Sequence, residues 1–347
     1  MDNNPPTPCS RGSSVAPAHG GGTGIRPRVV PPDVTVRDVL PRDAIPSIDD
    51  PTFARSYFGD PGDEVIVVEP GGAPARAYPV RVLSYHEIVN DRVGDRPVAV
   101  TWCPICGSAV VYDAQVDERE LTFGVSGKLA DDALVMYDRE TGSEWKQPTG
   151  EAIAGDLEGS TLEVLPAPLV TWERFESDHP DGVVLQPVRG SGEDDPSPRE
   201  IYDMAPYERY EAGEAFGLYG MRGEGERRSW DRTDLDAKTV VLGIEGDGEA
   251  VGYPLPRVEA AGGVVTDAVG GRDVVVFADD GRLHAFEDPG LAFERVGDAE
   301  DAFRADGTTW DLTTGESADG RRLERIPAVR LYAFAWQDAH GSDAFYG

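Results

Sequence analysis

The sequence predicts an α+β protein, mainly β, built as two tandem, diverged copies of an antiparallel β-rich domain with a few short helices. Three observations carry this: short valine-rich runs separated by turn signals, only two helix-like stretches in the better-marked half, and collinear self-similarity between the halves. Many short strands with few helices imply antiparallel pairing, because parallel strands need a long crossover for each connection.

In chain order, strands are expected over 64–69, 76–80, 98–102, 109–113, 120–125, 133–138, 161–165 and 182–185, separated by turn signals. Two short helices are expected, over 84–90 with Ser84 as N-cap and over 171–178 with Thr171 as N-cap and His179-Pro180 as its stop.

The repeat shows in Val65-Ile66-Val67-Val68-Glu69 against Val241-Leu242-Gly243-Ile244-Glu245, and in Ala77-Tyr78-Pro79 against Gly252-Tyr253-Pro254. Val89-Asn90-Asp91 matches Val265-Thr266-Asp267, and Val98-Ala99-Val100 matches Val274-Val275-Val276, the spacing staying near 176. Later, Gly142-Ser143-Glu144-Trp145 corresponds to Gly307-Thr308-Thr309-Trp310, and Trp172 to Trp336, which suits shared core roles. The expected organisation is a tail over 1–36, poor in acids and disordered, a first repeat over 37–190, a connector over 191–236 and a second, degenerate repeat over 237–347. The connector carries Tyr202, Tyr207, Tyr210, Phe216, Tyr219 and Trp230, so it is expected to pack across both domains.

The chain has 347 residues, enough for two cores, and a formal net charge of −32 spread along its length. Such a charge repels itself and is tolerated where salt screens it, which suggests a halophilic source. It excludes nucleic acid as a partner, since the densest basic cluster, Arg222, Arg227, Arg228 and Arg232, is interrupted by acids. No apolar run is long enough for a transmembrane segment, and the N-terminus lacks the regions of a signal peptide, so the chain as it stands reads as cytoplasmic.

Three cysteines are too few for a disulfide scaffold. Cys9 stands alone in the tail, while Cys103-Pro104-Ile105-Cys106-Gly107-Ser108 joins two valine-rich strands. Pro104 fixes φ and Gly107 accepts a positive φ, so both thiols and several N–H groups gather in one tight turn. A four-cysteine zinc ribbon needs a second such turn, and the sequence has none. In the second repeat the turn aligns with Asp279-Asp280-Gly281 and His86 with Gly262, so thiols and imidazole are lost together. Tyr85, aligned with Ala261, is lost as well, which general drift explains.

Ser126, Lys128, Tyr137 and Arg139 are polar or aromatic residues of a β-rich neighbourhood and are candidates for lining a cleft. Gly127-Lys128 is not a phosphate loop, because Thr122 and Leu129 occupy positions where that motif needs Gly and Ser or Thr.

These residues resemble the domain of unknown function (DUF) 3179 family. The resemblance runs through Pro41-Arg42-Asp43-Ala44-Ile45-Pro46, Ala77-Tyr78-Pro79, His86-Glu87-Ile88-Val89-Asn90-Asp91, Thr101-Trp102 with the cysteine turn, Phe123-Gly124-Val125-Ser126-Gly127-Lys128-Leu129 and Val135-Met136-Tyr137-Asp138-Arg139. It implies one candidate site made of His86, Cys103, Cys106, Ser126, Lys128, Tyr137 and Arg139, without naming a reaction. Members of the family are often exported or lipid-anchored. This chain shows no leader, so either it works in the cytoplasm or its start lies upstream.

Three readings follow from the residues. The first is a soft-metal site for zinc, copper(I) or iron on Cys103 and Cys106, with His86 as third ligand. The second is a catalytic thiol/disulfide couple in which Cys103 is the attacking thiolate. The third is a non-catalytic interaction module whose turn is only structural.

Overall fold

A computed structural model describes Met1 and residues 34–188, 197–224, 226–296 and 302–347. Most of the expected tail, Cys9 included, lies outside the described residues. The fold is α+β and strand-rich, with mostly antiparallel sheets and seven short helices among the described residues.

The strand Ala133–Asp138 recurs as expected, and others recur with shifted ends: Glu64–Val68, Arg76–Pro79, Arg96–Cys103, Ser108–Asp113 and Val183–Leu185. The strand expected at 120–125 lies at Phe123–Ala130, and that at 161–165 shrinks to Val164–Leu165. Thr171 does cap the helix Trp172–Asp178, its hydroxyl accepting the Arg174 N–H.

The helix expected at 84–90 is corrected to Val80–His86, with Pro79 rather than Ser84 at its N-cap. It ends because Glu87 takes a left-handed conformation, φ 58°, and the chain turns directly into the strand Ile88–Val93. A left-handed glutamate is not a stop that residue type announces, since Gly or Asn normally fills that position.

A seven-stranded sheet orders Glu249–Pro254, Val240–Gly246, Val329–Tyr332, Ser108–Asp113, Arg96–Cys103 and Ile88–Val93, with Val164–Leu165 attached to Ser108–Asp113. Strands from both halves of the chain therefore share one sheet, joined where Arg330 pairs with Ala109. A five-stranded sheet holds Leu169–Thr171, Glu64–Val68, Arg76–Pro79, Val183–Leu185 and Phe53–Ala54, with one parallel pair between Arg76–Pro79 and Val183–Leu185. Another runs Val36–Asp38, Phe123–Ala130, Ala133–Asp138, Glu144–Lys146 and Glu151–Ala154. Val264–Val269, Arg272–Asp279 and Arg282–Glu287 make a three-stranded meander.

The strand Arg96–Cys103 is apolar on both faces because both faces are covered. Val98, Val100 and Trp102 enter one core cluster, while Ala99 and Cys103 enter another. That second cluster is the larger, and it gathers Cys103, Cys106, Tyr112, Phe123 and Trp145 with Val241, Leu331, Phe334 and Trp336. The dithiol turn is thus inserted where the two halves pack together. Tyr210 donates its hydroxyl proton to the Ile105 carbonyl at 2.6 Å, and Phe216 packs on Phe334 with ring centroids 5.1 Å apart.

Candidate functional site: a buried dithiol beside a buried acid

Arg96–Cys103 and Ser108–Asp113 form a hairpin that closes on the pair Cys103 and Ser108. Gly107 sits in the turn at φ 60°, and a Cβ there would lie 2.8 Å from Arg330 and Tyr332. Both a positive φ and close approach therefore demand glycine. The Arg330 guanidinium donates to the Gly107 carbonyl and the Tyr332 N–H to the Cys106 carbonyl, clamping the turn from the second half of the chain.

Cys103 is 1% exposed and Cys106 fully buried, and both thiols are free. The Cys103 sulfur accepts the backbone N–H groups of Cys106 and of Leu134, each at 3.4 Å. Burial raises the Cys103 thiol, but hydrogen bonds from the Cys106 thiol and from the Cys106, Leu134 and Ile105 N–H groups outweigh it, and its net shift is downward. Burial pushes Cys106 well up, and its bond to Cys103 and the charge there push the same way. The two thiols are therefore unequal, with the negative charge favoured on Cys103.

Glu87 is the functional residue that the sequence reading passed over. Its carboxyl is buried, and burial followed by the charge of Cys103 raises it to about 8. The nearest signal is the apolar pair Ile88 and Val89 that follows it, which opens a strand continuing into Asn90, Asp91 and Arg92 and so does not announce a buried acid.

His86 is placed differently from a third ligand. Its Nδ1 donates to the Pro46 carbonyl at 2.8 Å, since a carbonyl only accepts, and its Nε2 then accepts from the Tyr202 hydroxyl at 2.8 Å. Burial lowers its pKa and keeps it neutral. With both nitrogens used, the ring ties the connector to the N-terminal segment. Among the described residues, no three His, Cys, Asp or Glu side chains gather as a metal-holding group.

The other four candidates bond among themselves and their neighbours. Ser126 donates to the Val135 carbonyl and accepts the Lys128 N–H across a register shift between Val125 and Lys128. Lys128 pairs with Glu144 at 2.7 Å, Tyr137 donates to Asp43 at 2.6 Å, and Arg139 pairs with Asp49 at 2.6 Å. Among the described residues, none of them bonds to a cysteine.

A cleft of about 620 Å³ shares its wall with the dithiol turn through Trp102, Arg330 and Tyr332, and Tyr85, Tyr202 and Tyr207 face it as well. Arg81 there is held by Asp60, Asp63 and Asp203. The Trp102 indole N–H and the Tyr85 hydroxyl are buried without a hydrogen-bond partner among the described residues. Tyr207 is raised by burial and then by the charges of Glu87 and Cys103.

The family model described as Protein of unknown function (DUF3179) matches residues 42–343, and the chain belongs to that family. No curated protein and no solved structure matches it. Among the described residues, no helix is long and apolar enough to cross a membrane.

Proposed function

We propose that Cys103 and Cys106 work as a thiol/disulfide couple with Glu87 as their proton partner. The bonding at the Cys103 sulfur carries this reading: two N–H groups converge on it at 3.4 Å and favour a thiolate beside a second, harder-to-ionise thiol. Glu87 takes the Cys103 proton, and the thiolate attacks one sulfur of a substrate disulfide. A mixed disulfide forms, and the departing sulfur takes the proton from Glu87. Glu87 then removes the Cys106 proton, Cys106 attacks the Cys103 sulfur, and the second substrate thiolate leaves with that proton. The substrate gains two electrons and two protons, and the cysteines end as a disulfide. Thiols this buried suit a compact disulfide entering by the aromatic cleft rather than a broad folded surface.

Oxidation of the full chain should remove two titratable thiols of three, and Cys106→Ser should trap a mixed disulfide through Cys103. An unchanged thiol count between oxidised and reduced protein sinks the reading. The soft-metal reading, for zinc, copper(I) or iron, retains two cysteine ligands but loses His86 to Pro46 and Tyr202. It expects stoichiometric metal after anaerobic, chelator-free purification, where the redox couple expects none.

In this reading the second half is a diverged copy serving as scaffold. Supporting it, the order strand, strand, helix, three strands over 64–113 recurs over 240–287, and the turns at Cys103 and at Asp279 both close hairpins.

A further inference from the structure

We propose that the crevice between the helix Trp172–Asp178 and the hairpin Arg272–Glu287 binds a compact oxyanion, held by Arg282, His284 and Arg325. The crevice encloses about 300 Å³ and is lined by Thr171, Arg174, Ser177, Arg282, His284 and Thr313. Arg282 and His284 also border a smaller space of about 40 Å³, whose wall includes Arg325.

Two unpartnered buried nitrogens meet here, with the Arg325 guanidinium in the adjoining smaller space. His284 is 3% exposed, and its Nδ1 has no partner among the described residues. The Arg282 Nε is buried and equally unpartnered. Arg325 donates to the Thr313 carbonyl and stacks over Phe286, 4.5 Å from the ring centroid, with no carboxylate at ion-pair distance among the described residues. A guanidinium taken out of water without a counter-charge is costly, and its planar fork fits the paired oxygens of an oxyanion. Burial lowers Arg325 to about 10, and the charges of Glu69 and Asp311, which act the other way, do not offset it.

Cations outnumber acids at the inner end, where Arg282, Arg325 and Arg330 line the smaller space with Glu64. Burial holds His284 neutral, and Arg325, Arg282 and Arg174 reinforce that, no carboxylate acting on it comparably. The acids that border the crevice are engaged or outside it. Asp279 lies 3.6 Å from Arg295, Asp280 pairs with Arg282 at 3.0 Å from a side chain 71% exposed, and Glu173 is exposed. Arg174 is shared by Asp178 and Asp311. A neutral imidazole N–H and two guanidinium edges remain for the ligand.

The test titrates the full chain with inorganic phosphate, and separately with acetate, by calorimetry at ionic strength held constant with sodium chloride. Saturable binding of either probe is expected, the tighter one telling a phosphoryl from a carboxylate ligand. Arg325→Gln and His284→Gln should each weaken it at least about ten-fold, while Arg55→Gln, at the exposed pair with Asp181, should leave it unchanged. Circular dichroism checks folding, and if Arg325→Gln does not fold, His284→Gln and Arg282→Gln decide. Absence of saturable binding above the chloride control overturns the proposal, as do folded variants that bind like the parent.

Discussion

Glu87 joins a backbone conformation, a buried acid and the dithiol in one position. In the folded chain it titrates near 8, against an ordinary value of 4.5. Between those values the folded state keeps a proton that the unfolded chain has released, so this group makes stability fall as pH rises from 4.5 to about 8 and level off above. Glu87→Gln should therefore match the parent near pH 4.5 and exceed it at pH 9 by a few kcal/mol, on the order set by about 1.4 kcal/mol per pKa unit. Urea denaturation across that pH range checks it, and parallel curves for the two proteins would refute it. The cysteine turn was legible in sequence because Cys, Pro and Gly each have a restricted use there. Glu87 was not, because a glutamate before two apolar residues and a polar Asn-Asp-Arg run declares neither burial nor a positive φ.

Elements were legible where residue type punctuates them. Thr171 capped its helix as expected, whereas Ser84 lies inside a helix that begins after Pro79. The final helix Ala333–His340 shows what only packing reveals. Its Trp336 lies against Gly243 and Gly252, which face each other on paired strands, and a Cβ on either would come within 2.0 and 2.4 Å of the indole. The indole N–H is fixed by the Ala344 carbonyl at 2.7 Å, so the ring has no easy retreat. Gly243→Ala should cost about 1–3 kcal/mol by overpacking, measured by chemical denaturation. An unchanged denaturation midpoint would mean the ring moves freely. The repeat alignment exposed Gly243 opposite Val67 and Gly252 opposite Ala77, but not the tryptophan that requires them.

At the scale of the molecule, the two halves of the chain are joined through one sheet and one core. A net charge of −32 works against that assembly. The Debye length shrinks from about 10 Å at 0.1 M to about 3 Å at 1 M, so screening relieves repulsion between exposed acids while leaving the buried core intact. The melting temperature should rise on going from about 0.1 M to 1 M potassium chloride, followed by circular dichroism. A flat or falling profile would show that self-repulsion does not limit stability.

By itself the sequence determined the strand-rich class, the antiparallel bias, the family resemblance and the dithiol turn, because alternation, turn chemistry and the Cys-Pro-Ile-Cys-Gly run are local properties. Tertiary structure alone decided that Glu87 is buried within reach of the Cys103 charge, that His86 spends both nitrogens on Pro46 and Tyr202, and that Lys128, Tyr137 and Arg139 answer acids. Those partners lie tens of residues away or on other elements, and which of many acids or hydroxyls a side chain meets is set by strand order and burial. An acidic chain offers too many equivalent neighbours for sequence to choose among them.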